Sequence, residues 1–246
     1  MKLHELKELL QANGLSPNKK LGQNFLISQH MIDKIIRSIN VSPQDSILEI
    51  GPGLGAITEA MAAIAPVTAV EIDSGLFNHL LQTIGEHPHI TLIHNDFLKC
   101  DLNRSFNKIV SNLPYYCSTE ILFTIAREYE AEEIYVMLQK ELADRILSEP
   151  GTKDYGALTV TLKMYFSAQR LFTIGKDSFY PAPDVLSAFM KFERKKNLAL
   201  KGKQLELFHN IVKSVFWGRR KKLVTALTES PHLNFLKVDI KEALYK

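Results

Sequence analysis

Glu49-Ile50-Gly51-Pro52-Gly53-Leu54-Gly55 stands between an apolar run, Ile47 to Ile50, and a stretch of helical periodicity, Ala56 to Ala65. A buried strand that turns through closely spaced glycines into a helix lets the backbone bend sharply and approach a ligand. Working outward, the alternation continues. Val67 to Ile72 reads as a strand, Leu76 to Ile84 as a helix, and Thr91 to His94, Ile109 to Ser111 and Ile134 to Leu138 as further strands. Helical stretches at Thr119 to Arg127 and Lys140 to Leu147 separate the later ones, and Gln29 to Asn40 precedes them all. Tyr155 to Phe166 is ambiguous and is assigned to helix on the spacing of Leu158, Leu162 and Tyr165. Gln169 to Thr173 and Ala188 to Glu193 complete the strands. The pattern predicts an α/β, Rossmann-like, doubly wound, mostly parallel sheet of seven strands, followed by a small helical domain at the C-terminal end.

Composition sets limits on this reading. The 246 residues are 46% hydrophobic and 23% charged, which describes a globular protein with one sizeable core and a small appendage. No segment approaches the apolar run of about 18 residues that spans a bilayer, and Glu5 and Glu8 interrupt the N-terminus where a secretory signal would be apolar. The expected location is cytoplasmic. Cys100 and Cys117 lack metal-site or disulfide spacing, so no metal is expected. The net charge of +3 conceals an imbalance: Arg194 to Lys246 carries 13 Lys and Arg against 4 Asp and Glu, a net of +9, and the remainder is −6. Such asymmetry suits either a polyanionic partner or a solvated helical appendage.

The glycine loop also satisfies G-x-G-x-x-A through Ala56, so a nicotinamide dehydrogenase fits it as well. For an adenosine ligand, Glu71, at the end of the next strand, has the chemistry to hold two ribose hydroxyls. Asp96 follows the third strand and can accept from an adenine amine, or simply cap a turn.

Asn112-Leu113-Pro114-Tyr115-Tyr116 follows the fourth strand on the same sheet edge. A nucleobase amine is a poor nucleophile because its lone pair is delocalised into the ring. Two acceptors aimed at its hydrogens, the Asn112 side-chain oxygen and the Pro114 carbonyl, would draw it toward tetrahedral geometry. Tyr115 offers a face for an extruded base. The alternative is an N-L-P turn followed by core aromatics.

Together with Leu21-Gly22-Gln23-Asn24-Phe25-Leu26, Glu71-Ile72-Asp73, Asn95-Asp96-Phe97-Leu98 and Phe179-Tyr180-Pro181-Ala182-Pro183-Asp184-Val185-Leu186-Ser187, these motifs resemble the ribosomal RNA adenine N6-dimethyltransferases. That family includes the KsgA-type small-subunit enzymes and the Erm methylases, and the resemblance spans nearly the whole chain. It implies a class I methyltransferase fold and S-adenosylmethionine as cofactor. The matching cofactor positions are Asn24, Leu26, Gly51, Glu71, Asp96 and Asn112, to which we add the neighbours Gln23, Gly53, Ile72 and Phe97. It also implies that Phe179 supplies a second aromatic surface for the flipped adenine beside Asn112, Pro114 and Tyr115.

Leu21-Gly22-Gln23, Asn112-Leu113-Pro114 and Arg219-Arg220-Lys221-Lys222-Leu223 look more like KsgA than Erm. On that resemblance the substrate is two adjacent adenines near the 3′ end of small-subunit rRNA, in naked RNA or an immature subunit; nothing in the sequence demands a dimer, and a monomer is expected. A large-subunit methylase and a non-catalytic assembly factor are the alternatives. Lys19, Lys20, Arg219, Arg220, Lys221 and Lys222 are the expected RNA contacts. The expected domains are a catalytic, cofactor-binding domain over 1–194, with a helical extension at 1–45, and an RNA-docking domain over 195–246. The tail looks short for the family, and Tyr116-Cys117 replaces the common Asn-Ile.

Overall fold

The computed structural model describes residues 3–18, 21–102, 104–198, 200–233, 240, 242 and 243. Lys19 and Lys20 lie outside the described residues.

The chain divides into two units, Met1–Asp144 with Ser167–Arg194, and Arg145–Phe166 with Lys195–Lys246. In the first, a seven-stranded sheet has the order β4-β3-β2-β5-β6-β9-β7. Its strands are β2 (Ile47–Ile50), β3 (Val67–Glu71), β4 (Ile90–His94), β5 (Lys108–Asn112), β6 (Glu133–Gln139), β7 (Phe166–Ile174) and β9 (Ser187–Arg194). The pairs β2–β3, β3–β4, β2–β5 and β5–β6 are parallel, and β9 runs antiparallel to β6 with Met137 opposite Phe189. Every residue of β2 and of β3 is buried, as expected of strands covered on both faces.

From β2 the chain moves outward to β3 and β4, then returns to the other side for β5 and β6. The carboxyl ends of β2 and β5 therefore flank the switch point, where α/β sheets open a crevice. Ser111 Oγ donates to the Ile50 carbonyl at 2.6 Å and joins the two strand ends there.

Helices α3 (Ala56–Ala62), α4 (Ser74–Ile84), α5 (Ser118–Glu128) and α6 (Lys140–Leu147) follow β2, β3, β5 and β6, and α2 (Gln29–Ile39) precedes the sheet. Gly55 shows why glycine is required before α3. Its φ is +84°, and a Cβ there would stand 2.9 Å from Leu80 Cδ2. The side-chain oxygen of Asp73 caps α4, accepting from the Gly75 and Leu76 amides at 2.9 and 3.1 Å. At the opposite sheet edge Lys108 and Asp45 form a buried ion pair at 2.6 Å.

Sequence periodicity did not foresee a second, two-stranded sheet. Strand β1 (Phe25–Leu26) runs antiparallel to β8 (Phe179–Tyr180), with Phe25 opposite Tyr180 and Leu26 opposite Phe179. Two-residue strands have no period to detect. One face of this ladder joins Leu6 and Leu10 of α1 (Leu3–Ala12) and Leu76, and the other joins the main core.

The second unit contains α7 (Ala157–Tyr165), α8 (Lys203–Trp217) and α9 (Leu223–Thr228). Residues 145–166, which the sequence division groups with 1–194, pack here with the tail. Tyr165 Oη lies 2.8 Å from His209 Nε2, the Tyr155 and Phe216 rings are 6.1 Å apart, and Arg219 donates to the Thr152 and Lys153 carbonyls at 3.3 and 2.6 Å. Chain order conceals this grouping because β7, β8 and β9 intervene. Within the unit, 195–246 has 12 Lys and Arg against 4 Asp and Glu and 145–166 has 3 against 2, so the net charge is +9.

Candidate active site

At the carboxyl ends of β2, β3 and β5 lies a cleft that opens to solvent. Gly51 to Leu54, Glu49, Glu71, Gln23 to Leu26 and Asn112 to Tyr116 line it. Four segments widely separated in sequence thus meet where the switch point predicts.

Glu71 is 4% exposed. Its Oε2 accepts from the Gly53 amide at 3.2 Å and its Oε1 from the Asp73 amide at 2.9 Å. Burial raises its pKa, and these amides partly oppose the rise. Each oxygen keeps a lone pair beyond the amide it binds, as a ribose diol requires. Next to it Ile72 is 43% exposed and lines the cleft, an apolar surface suited to a flat base.

Glu49 is a site residue whose side chain the sequence reading passed over. It is 3% exposed, lines the cleft, and its Oε2 has no hydrogen-bond partner. Burial pushes its pKa up to about 7, and the neighbouring Glu71 carboxylate adds to the rise. The Thr58 hydroxyl lowers it in part by proximity, but Thr58 Oγ1 also lacks a partner and the two stand outside hydrogen-bond geometry. A carboxyl in an otherwise apolar buried strand is the signal that could have singled it out.

Two hydrogen bonds position the Asn24 and Asn112 segments. Asn112 Nδ2 donates to the Asn24 carbonyl at 2.9 Å, and Asn24 Nδ2 donates to the Gly22 carbonyl at 3.1 Å. Because a carbonyl can only accept, the Asn112 amide turns its NH2 toward Asn24 and keeps Oδ1 for another donor. Gln23 accepts from the Asn18 amide at 2.7 Å and donates to Asp73 Oδ2 at 3.1 Å, which ties this segment to the loop after β3. Tyr115 is held by its hydroxyl, 2.7 Å from Ser187 Oγ, and burial raises its pKa.

Other expected site residues stand differently. The Pro114 carbonyl already accepts from Ser118 Oγ at 2.9 Å and the Cys117 amide at 3.3 Å, so both lone pairs are engaged. Asp96 follows the capping alternative. Its Oδ1 accepts from the Leu98 amide at 3.1 Å, and its Oδ2 pairs with Lys99 at 3.3 Å. Asp96 and Phe97 do not line the cleft, and Phe97 is buried with its ring stacked 5.4 Å from Tyr129. Phe179 is also outside the lining. It is 3% exposed and lies in the main core, because its place opposite Leu26 in the two-stranded ladder turns it inward.

Chemically, the described lining residues include two carboxylates and no Lys, Arg or His. A buried carboxyl without a partner favours a ligand that brings positive charge and disfavours the pyrophosphate of a dinucleotide. Among the described residues no cluster of His, Cys, Asp or Glu could hold a metal, and no helix is long and apolar enough to cross a membrane.

The model of a known family, ribosomal RNA adenine dimethylase, matches residues 14–244. The chain is 38% identical over 232 residues to ribosomal RNA small subunit methyltransferase A of Alkaliphilus oremlandii, covering 90% of this chain and 81% of that protein. It is also 38% identical over 233 residues to the protein of the same name in Enterococcus faecalis, covering 90% and 79%. Among solved structures, a dimethyladenosine transferase from Plasmodium falciparum superposes with a TM-score of 0.76 at 26% identity, over 89% of this chain and 80% of that one. The 23S rRNA methyltransferase ErmE superposes with a TM-score of 0.68 at 28% identity, over 90% and 89%.

Proposed function

Since the chain belongs to the ribosomal RNA adenine dimethylase family, we propose that it transfers methyl groups from S-adenosylmethionine to the N6 amines of two adjacent adenines near the 3′ end of small-subunit rRNA. The observation that carries this is the Asn112–Asn24 hydrogen bond, which leaves Asn112 Oδ1 as an oriented acceptor at the cleft.

The residues present fit the cofactor. Glu71 would take the ribose hydroxyls, Ile72 the adenine face, the Gly51–Gly53 turn the close approach of the backbone, and Glu49 the positive charge. When bound, the cofactor supplies an electrophilic methyl group on a sulfonium. The remaining work falls to the chain. Asn112 Oδ1 accepts an amine hydrogen and draws the nitrogen lone pair out of conjugation. Tyr115, steadied by Ser187, provides the stacking face for the extruded base. The Pro114 carbonyl receives the second amine hydrogen once the Ser118 hydroxyl turns away. Catalysis is then positioning and electrostatics, without a strong base.

A small-subunit target is supported by the name carried by the 38%-identical relatives. The test is transfer of labelled methyl from S-adenosylmethionine onto immature small subunits, naked rRNA, DNA and large subunits, with the modified base mapped. Label on paired adenines near the small-subunit 3′ end is expected. Label on a large-subunit adenine would move the target, and RNA binding without transfer would favour an assembly factor. Asn112→Ala should lower transfer by about a hundredfold or more while calorimetry still detects cofactor binding.

A further inference from the structure

Trp217 ends α8 and is 51% exposed, although it is the largest side-chain type in the chain. It is also the only tryptophan among the 246 residues. The Lys221 ammonium lies over its ring, 4.8 Å from the centroid, and is held there by Glu229 Oε2 at 2.6 Å. Four cations, Arg219, Arg220, Lys221 and Lys222, follow within five residues, and all four are exposed. They are not equivalent. Arg219 is committed to the Thr152 and Lys153 carbonyls, and Lys221 to Glu229 and the Trp217 ring. Among the described residues, no ion pair, side-chain hydrogen bond or ring contact engages Arg220 or Lys222.

We propose that Trp217 is a stacking platform for an unpaired rRNA base, with Lys221 backing the ring and Arg220 and Lys222 neutralising the flanking phosphates. The inference rests on the RNA-directed reading above and deepens it by assigning a second point of base contact, in the unit that does not hold the cleft. The +9 charge of this unit calls for a polyanion, and the polyanion that also presents flat rings is single-stranded RNA. A half-exposed indole backed by a fixed cation gives such a ring a rigid partner at small entropic cost. A purely electrostatic dock would need no aromatic residue, and the two contributions separate experimentally because stacking is insensitive to salt and phosphate contact is not.

As the only tryptophan, Trp217 reports on itself. The intrinsic emission of the full-length protein is titrated with a labelled single-stranded RNA of mixed sequence, with its perfectly paired duplex, and with heparin, while anisotropy or competition records binding. Saturable quenching by the single strand, with little change on binding duplex or heparin, is expected. Trp217→Ala should weaken single-strand binding by roughly 5- to 100-fold and leave the salt slope and cofactor binding unchanged, and Trp217→Phe should recover part of the loss. Arg220→Ala with Lys222→Ala should instead reduce the slope of log affinity against log salt by about 1.4. RNA binding with unchanged emission, or equal quenching by heparin, overturns the platform and leaves the RNA-directed function standing. A protein that binds no RNA at all overturns both.

Discussion

Replacing Glu49 by glutamine should make the protein's stability less dependent on pH and weaken its hold on the cofactor. The wild-type carboxyl is moved from an ordinary 4.5 to about 7 by burial and by the neighbouring Glu71 carboxylate. Between those values the unfolded chain carries an ionised Glu49 while the folded protein keeps the proton. The folded state therefore binds more protons, and stability falls as pH rises from 4.5, the loss being complete above pH 7. The gap corresponds to about 3 kcal/mol. Glutamine does not titrate, so the unfolding free energy of Glu49→Gln minus that of wild type should increase by about 3 kcal/mol between pH 4.5 and 8, measured by urea denaturation without cofactor. Comparing the two proteins cancels every titrating group that does not interact with Glu49. A cation in the cleft favours the ionised carboxylate, so cofactor binding should expel the proton. The wild-type advantage in cofactor affinity over Glu49→Gln, measured by calorimetry, should then shrink about tenfold from pH 8 to pH 6, as the ionised fraction falls. A stability difference that is flat with pH would refute the assigned burial cost. Equal cofactor affinity of the two proteins at pH 8 would refute the role of Glu49 as counter-charge.

Removing the buried partner of Lys108 tests the opposite sheet edge. Asp45→Ala leaves Lys108, 8% exposed, with Glu133 Oε2 at 3.7 Å and the Asn40 carbonyl at 3.1 Å, and should cost about 3–5 kcal/mol in urea denaturation without changing kcat of the folded fraction. Burial raises the Asp45 pKa, but Lys108, the Ser42 amide and Asn107 outweigh it, so the net shift is downward. Its contribution is present above pH 3.8 and is lost on acidification, and the variant should lose less stability than wild type as pH falls. Ser118→Ala removes the hydroxyl that competes for the Pro114 carbonyl. If that carbonyl receives the substrate amine, kcat should be unchanged or rise, and a fall in kcat with cofactor affinity intact would make the hydroxyl the working group instead.

Much of this protein is written locally. Long buried strands and amphipathic helices repeat a period that any window detects, so Ile47 to Ile50 and Lys140 to Leu147 read true to their ends, and even the ambiguous stretch at Tyr155 proved helical. The glycine loop, Glu71 and Asn112 were legible because strand-end residues in a doubly wound sheet share one edge whatever the loops do. What required the tertiary structure is whatever depends on a partner distant in sequence. Phe179 faces the core because a two-residue ladder pairs it with Leu26, 153 positions earlier. Asp96 spends its carboxylate on a cap and an ion pair, and the Pro114 carbonyl is already occupied by the first turn of α5. The Asn112 amide is oriented by the carbonyl of Asn24, and residues 145–166 join the basic tail across three intervening strands. Periodicity determines which face of an element is apolar. Which hydrogen bonds are already made, and so which groups remain for a ligand, is decided only when the chain has folded.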